Sequence, residues 1–189
     1  KWVAVAADWP GLERGARTED LAVERLGRYV PRYLPVAERA GFASEFEAQT
    51  EIDVIDRYLG TGSTDFWGIS FAPSSLDRVP FDAAVFDRQV RLLRAAWTEF
   101  DEMASTVSSE LRLGPRGGGR TRDEIIGHVL RVEIGDFSNR VGITADWEDL
   151  LVPARRADYR ERFIDAMRAW YAAGKPLGKW TVPFLLRHT

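Results

Sequence analysis

The chain opens on a short apolar run, Trp2-Val3-Ala4-Val5-Ala6-Ala7, rich enough in Val and Trp to predict a strand. Asp8-Trp9-Pro10-Gly11 breaks it, Pro fixing φ and Gly accepting a turn geometry. Thr18 stands where a helix N-cap belongs. Glu19 and Asp20 follow in the first turn, where the helix dipole favours acids. Leu21, Ala22, Leu26, Tyr29 and Val30 then recur at helical spacing as far as Pro31. Farther on, the β-branched stretch Ile52-Asp53-Val54-Ile55, with Tyr58 beyond it, suits one or two more strands. The cluster Gly60-Thr61-Gly62-Ser63-Thr64 reads as a turn. Residues 64–80 hold two prolines and no sustained period, and so read as a connecting loop.

From Phe81 the pattern changes. Phe86, Val90, Leu93, Trp97, Phe100, Ala104, Val107 and Leu111 are spaced alternately by four and three, the seam of a helix in a left-handed bundle. Gly114-Pro115-Arg116-Gly117-Gly118-Gly119 stops that helix. A second long helix is predicted from about residue 122 to 141, closed by Gly142. A third is predicted from Pro153 to Ala173, with Tyr159, Phe163, Ile164, Met167, Trp170 and Tyr171 on its apolar face. The last segment, from Val182 to Thr189, starts like a helix with Thr181 as N-cap and is then cut off. The expectation is an α+β chain, mainly α. It would consist of a small strand–turn–helix unit over residues 1–62, a connecting loop over 63–80, and a four-helix bundle over 81–189 that lacks most of its fourth helix.

Composition narrows the chemistry. At 189 residues the chain suits one domain, or one with a small appendage, and 45% hydrophobic against 29% charged is the balance of a protein with a real core. The net charge of −3 argues against binding nucleic acid through its phosphates. Cysteine is absent, which removes disulfides, thiolate metal sites and a Cys nucleophile. His128 and His188 are the only histidines, so one copy of this chain cannot supply three histidine ligands to a zinc ion. No apolar run reaches the roughly 18–20 residues of a membrane helix, and no signal peptide is visible, so a cytoplasmic location is expected. The first residue is Lys1 rather than Met, which reads as part of a longer frame.

The second long helix carries the most suggestive residues. On a helical wheel Ile125, Ile126, Val129, Leu130, Val132, Phe137 and Val141 form a broad apolar arc. Glu133 and Asp136 fall inside it. His128 lies on its flank, with Glu124 four residues before it on the same side. A carboxylate facing a core must be paired, hydrogen-bonded or bound to a metal. Glu133 is therefore either a site residue or the partner of an arginine from a neighbouring helix. Arginine supplies nearly all the cations, lysine standing only at 1, 175 and 179. The loop holding Arg116 and Arg120 could bind an anion through backbone N–H groups, or simply join two helices; the order of a phosphate loop is missing. Asp65, beside Phe66 and Trp67, could line a pocket or plug a junction. No H-E-x-x-H, G-x-S-x-G or nucleophilic triad is present.

Through its long first helix, the run Arg122-Asp123-Glu124-Ile125-Ile126-Gly127-His128-Val129, the following Glu133 and the helix order, the region 81–189 resembles the DinB/YfiT-like superfamily. Gly114-Pro115-Arg116-Gly117-Gly118-Gly119-Arg120 and Thr64-Asp65-Phe66 are similar to a narrower, mostly uncharacterised actinobacterial-type family within it. The first 40 residues resemble a HicB-like strand–turn–helix through Asp8-Trp9-Pro10-Gly11, Gly15, Thr18 and Ala22. The superfamily resemblance implies a four-helix bundle that holds a divalent metal with three histidines, one on the second helix and an H-x3-H pair on the fourth. Some members act as thiol-dependent transferases or isomerases. By position His128 matches the second-helix ligand. The pair has no counterpart before Thr189, and His188 precedes the stretch where it would fall.

Two readings follow. In the first the protein is metal-dependent, with Zn, Ni, Fe or Mn on His128 once the fourth helix is completed. Glu133 would be its acid/base or supporting group, and Trp97 and Phe137 would floor a pocket reached by Asp65, Arg116 and Arg120. In the second the protein holds no metal and is a small-ligand-binding or dimerising module, in which the bundle binds a small ligand or a partner and the N-terminal unit dimerises. A homodimer is expected under either, and nucleic acid and membrane under neither. A toxin–antitoxin role, suggested by the HicB-like start, is opposed by the acidic charge.

Overall fold

The computed structural model describes residues 1–49, 51–66, 68–111, 118–175, 177–178 and 180–189. Among them the chain is mainly helical, with eight α-helices and one two-stranded antiparallel sheet. It divides into two compact units. The first is Lys1–Glu99 with Pro183–Thr189, and the second is Phe100–Val182.

In the first unit β1 (Trp2–Val5) is the expected strand. It pairs with β2 (Glu13–Ala16), Val5 opposite Glu13 and Trp2 opposite Ala16. The turn between them is nailed into the core. Trp9 is buried edge-on against Phe46 and Tyr33, its indole N–H donates to Gln49 at 2.6 Å, and the Tyr33 hydroxyl donates to the Pro10 carbonyl at 2.8 Å. Gly15 is required by close approach, since a Cβ there would sit 2.8 Å from the Gly68 carbonyl oxygen. Helix α1 (Glu19–Tyr29) begins at Thr18, whose hydroxyl accepts from the Leu21 N–H at 3.3 Å. Short helices α2 (Leu34–Arg39), α3 (Ala43–Glu47) and α4 (Gly62–Phe66) follow. Leu12, Leu26, Ala37 and Phe46 close the core together with Leu92 and Ala95.

The strands expected around Ile52–Ile55 do not form. Residues 51–60 enter no helix and no ladder among the described residues. Their β-branched side chains favour extended backbone, but a strand also needs a partner edge. Residues 64–80 are not wholly loop either: α4 covers their start, and a 3-10 turn spans Leu76–Arg78.

Helix α5 (Ala83–Thr106) starts where the Asp82 carboxylate accepts from the Val85 N–H at 2.8 Å. Its seam is uneven. Phe86, Val90, Leu93 and Trp97 are buried, whereas Phe100, Ala104, Val107 and Leu111 are half-buried. The helix ends sooner than its apolar spacing predicts. At its end the hydroxyls of Ser105 and Thr106 donate to the carbonyls three residues back.

In the second unit α6 covers Arg122–Val132, and the predicted long helix then changes winding. Residues Glu133–Phe137 form a π turn and Ser138–Val141 a 3-10 turn, closed by Gly142 at φ +79°. The Ser138 hydroxyl holds this end, accepting from Tyr159 at 2.7 Å and donating to the Ile143 carbonyl at 2.8 Å. Helix α7 (Pro153–Ala172) starts on its proline, and buries Tyr159, Phe163, Ile164 and Met167. Leu130, Leu150 and Tyr159 form a core flanked by Ile126, Ile134 and Trp147. Helix α8 (Val182–His188), which from Pro183 on belongs to the first unit, buries Phe184, Leu185 and Leu186 almost completely. None of the described helices is long and apolar enough to cross a membrane.

Candidate functional site

The residues singled out in the sequence fall in different surroundings. His128 is exposed on α6. Glu124, on the same side of the helix, is occupied at its start: its carboxylate accepts from the Thr121 N–H at 2.7 Å while the Thr121 hydroxyl accepts from the Glu124 N–H. These bonds to Thr121 hold the Glu124 carboxyl below the usual range. Among the described residues no three His, Asp or Glu side chains are grouped to hold a metal ion. Arg120 is exposed, and Arg116 lies outside the described residues with Gly114, Pro115 and Gly117. Asp65 is exposed at the end of α4, and Trp97 is buried in the first unit.

Glu133 is only 3% exposed, as its place in the apolar arc predicts, and its carboxylate lies 3.9 Å from Nε of Arg160 on α7. The same guanidinium donates to Asp101 at 2.7 and 3.4 Å, and Arg156 reaches Asp101 at 3.2 Å. Burial, reinforced by the nearby Glu133 charge, pushes the Tyr159 hydroxyl up. Phe137 is buried and stacks on Trp180 at 5.9 Å. In the second unit, then, Glu133 meets an arginine of a neighbouring helix, while His128 points to solvent.

The chemistry with space beside it is in the first unit. A cavity of about 490 Å³ runs along β1, α1 and residues 51–58. Val3, Val5, Ala22, Val23, Leu26 and Val54 contribute to its apolar wall. Its polar residues come from far apart in the chain. Asp77, in the 3-10 turn, is 2% exposed. One of its oxygens accepts from the N–H and hydroxyl of Ser74 at 2.7 and 2.8 Å, and the other accepts from Arg187 of α8 at 2.8 Å. His188 lines the cavity next to Arg187, its ring stacked on Phe184 at 4.2 Å. Burial pushes the imidazole down to about 4, with the Asp77 charge favouring protonation and Arg187 opposing it.

Tyr58 and Ser70 share a hydrogen bond at 3.3 Å in the same lining. Glu13 of β2 accepts from the Ser70 N–H, yet burial pushes its carboxyl up to about 7. Burial also raises the Tyr58 hydroxyl, and the charges of Asp77, Glu13 and Asp56 add to the effect. Asp56, which accepts from the Ser75 hydroxyl at 2.6 Å and N–H at 3.0 Å, is held below the usual range by those bonds. Sequence reasoning missed this group. Its members carry no motif, and the pairing that organises it, Asp77 with Arg187, spans 110 residues. Compared with protein-family models, curated proteins and solved structures, the chain matches none.

Proposed function

We propose that the first unit is a ligand-binding module that takes a small, largely apolar molecule into this cavity. The observation that carries the reading is the cavity itself. It has about 490 Å³ of space, an apolar wall, and a polar lining that includes a buried aspartate, an arginine and two groups with displaced titration, Tyr58 and His188. That is the size and composition of small-molecule sites. The lining offers acids, a tyrosine and an imidazole, but no activated nucleophile, so binding rather than a reaction is what it supports. The reading is of the same class as the second of the two drawn from the sequence, but puts the ligand in the first unit rather than in the bundle.

For residues 81–189 the helix order and the four-and-three spacing of α5 support the four-helix-bundle, DinB-like reading as a proposal. A metal on His128 draws only on that resemblance, since His128 is exposed and no second ligand stands beside it among the described residues.

The test is uptake of ethylbenzene, followed by thermal unfolding and by titration in NMR. Occupancy of the cavity is expected to raise the melting temperature by about 2–4 °C. Val23→Phe, which places a ring on the half-buried wall of the cavity, is expected to weaken uptake by about tenfold while the circular dichroism spectrum is unchanged. No uptake by the wild type, or equal uptake by the variant, overturns the reading.

A further inference from the structure

We propose that the cavity receives a short extended peptide, alternating apolar and basic side chains, as an added strand on the outer edge of β1. The proposal takes its space from the cavity reading above and goes beyond it in the class of occupant. In an antiparallel pair, successive residues turn their main-chain groups alternately toward the partner strand and away from it. The Ala6 N–H donates to the Leu12 carbonyl at 3.0 Å, and the register continues as Val5 opposite Glu13 and Ala4 opposite Arg14. Ala6, Ala4 and Trp2 therefore bond toward β2, while Val3 and Val5 turn their N–H and C=O groups to the other edge. Among the described residues these groups make no hydrogen bond, and no further strand pairs with β1.

That edge opens on the cavity. Every residue from Lys1 to Trp9 contributes to the lining, and none of Glu13–Ala16 does. A space lying on one face of the strand would touch alternate residues only. An unbroken run on β1, with β2 absent, places the space along the free edge. Residues 51–58 form another wall, and among the described residues their main chain bonds to no other main chain. A free strand edge beside open space is a template for one more strand. From Val3 to Val5 it suits about three or four residues at roughly 3.4 Å each.

The two faces of the hairpin and the charge of the lining select the side chains. On one face Ala4 and Ala6 pack into the core that holds Leu26 of α1, and Ala22, Val23 and Leu26 of that helix line the cavity. On the other face Gly15 approaches Gly68, and Glu13 accepts from Ser70, the partner of Tyr58. An added strand sends its side chains alternately to these apolar and polar sides. Of the charged groups on the lining, Arg57 is paired with Glu19 at 2.9 Å and Arg187 with Asp77 at 2.8 Å. His188 is kept uncharged at neutral pH by burial. The acids Asp8, Glu51, Asp53 and Asp56 then stand against Lys1, whose α-amino group is held by Asp65 at 3.0 Å. A basic side chain complements that balance, and an acidic one adds to it.

The probe is a tetrapeptide alternating valine and lysine, blocked at both ends and titrated into the whole chain at pH 7.5 in low salt. Followed by NMR, hydrogen exchange at the Val3 and Val5 amides is expected to slow by about fivefold on binding. The same peptide with its amide nitrogens methylated is expected to bind about tenfold more weakly. So is the peptide with glutamate in place of lysine, by about the same factor. Val3→Pro removes one outward N–H and leaves the bonds toward β2 in place. It is expected to weaken the lysine peptide by about fivefold and to leave ethylbenzene uptake unchanged. If that variant does not fold, the methylated peptide on the wild type reads the same edge.

Equal binding of the methylated and unmethylated peptides, or binding without slower exchange at Val3 and Val5, overturns pairing on β1. A glutamate peptide that binds as tightly as the lysine one overturns the basic partner. Protection of Val3 and Val5 that is present without peptide and grows with protein concentration gives the edge to a second copy of this chain, and overturns the proposal as well. Uptake of ethylbenzene with no binding of any peptide overturns the proposal and leaves the cavity reading standing. Peptide binding without ethylbenzene uptake overturns the apolar-molecule reading alone, and failure of both overturns the two together.

Discussion

In the second unit Asp101 takes hydrogen bonds from Arg156 and Arg160, and Glu133 lies 3.9 Å from the same Arg160. In the first unit Asp77 meets Arg187 at 2.8 Å on the lining of a cavity, close to a glutamate and a histidine whose titration burial has displaced in opposite directions. Both regions bury carboxylates against arginines, and a reading of burial alone would rank Glu133 beside Asp77. They differ in what surrounds the pair. The Arg160 guanidinium is shared between two carboxylates of its own unit, whereas Arg187 pairs with Asp77 and belongs to the lining of a cavity. A buried ion pair marks a candidate site when open space lies beside it.

Removing the arginine that the second unit depends on is the strongest way to break this comparison. Arg160→Met removes the guanidinium beside buried Glu133 and takes two hydrogen bonds from Asp101. Breaking a buried pair from one side costs about 3–5 kcal/mol. Asp101 keeps 30% exposure and the Arg156 contact, so the lower part of that range is expected, a fall in melting temperature of about 6–12 °C. Ethylbenzene uptake by the folded variant should be unchanged. A cost below about 1 kcal/mol would place the network among solvent-screened surface pairs, and the contrast between the units would go with it.

A smaller effect sharpens the other side. The folded state raises the Glu13 carboxyl from 4.5 to about 7, so it holds a proton that the unfolded chain has released, and stability falls as pH rises through that window. His188 is lowered from 6.5 to about 4, so stability rises with pH through its own window. Between about pH 4.5 and 6.5 the two oppose each other, and the wild type should show little net slope from them. Glu13→Gln removes one side only. Urea unfolding should then show stability rising with pH up to about 6.5. At pH 8 the variant should exceed the wild type by about 2–3 kcal/mol, the difference vanishing near pH 4. The same pH dependence in both proteins would mean that Glu13 is not buried beside Ser70 as described.

How much of this was legible in the sequence depends on how far apart the deciding residues are. The first strand, the Thr18 cap and the starts of α6 and α7 were readable because each rests on neighbours within about four positions. Glu133 was readable as a buried acid from the wheel, but its partner Arg160 was not, because helix pairing is a tertiary fact. The π turn that begins at Glu133 leaves no periodic trace. β2 was missed because Glu13-Arg14-Gly15-Ala16 has no apolar alternation; its place is set by the turn at Trp9 and by the close passage of Gly68. Residues 51–58 misled in the opposite direction, their β-branched content predicting strands where the chain instead lines a cavity. His188, set aside as preceding the expected histidine pair, lies in the candidate site, and His128, the expected ligand, is exposed.

The smallest effect tests whether local capping, unlike buried charge, works alike in the two units. Thr18→Ala removes the acceptor for the Leu21 N–H, and Thr121→Ala removes that for the Glu124 N–H. Each is expected to cost about 1 kcal/mol, Thr121→Ala slightly less, because Glu124 still accepts from the backbone N–H at 121. Thermal unfolding of both variants measures these costs. The consequences for binding should diverge. The first turn of α1 carries Glu19, which lines the cavity and accepts from Arg57 of the extended segment on its wall at 2.9 Å. Loosening that turn should weaken ethylbenzene binding by about two- to threefold, since a loss of a few tenths of a kcal/mol at the wall passes directly into affinity. Thr121→Ala should leave binding unaltered. If instead both caps cost the same and neither changes binding, α1 is only a support for the sheet and the Glu19–Arg57 contact does nothing for the cavity.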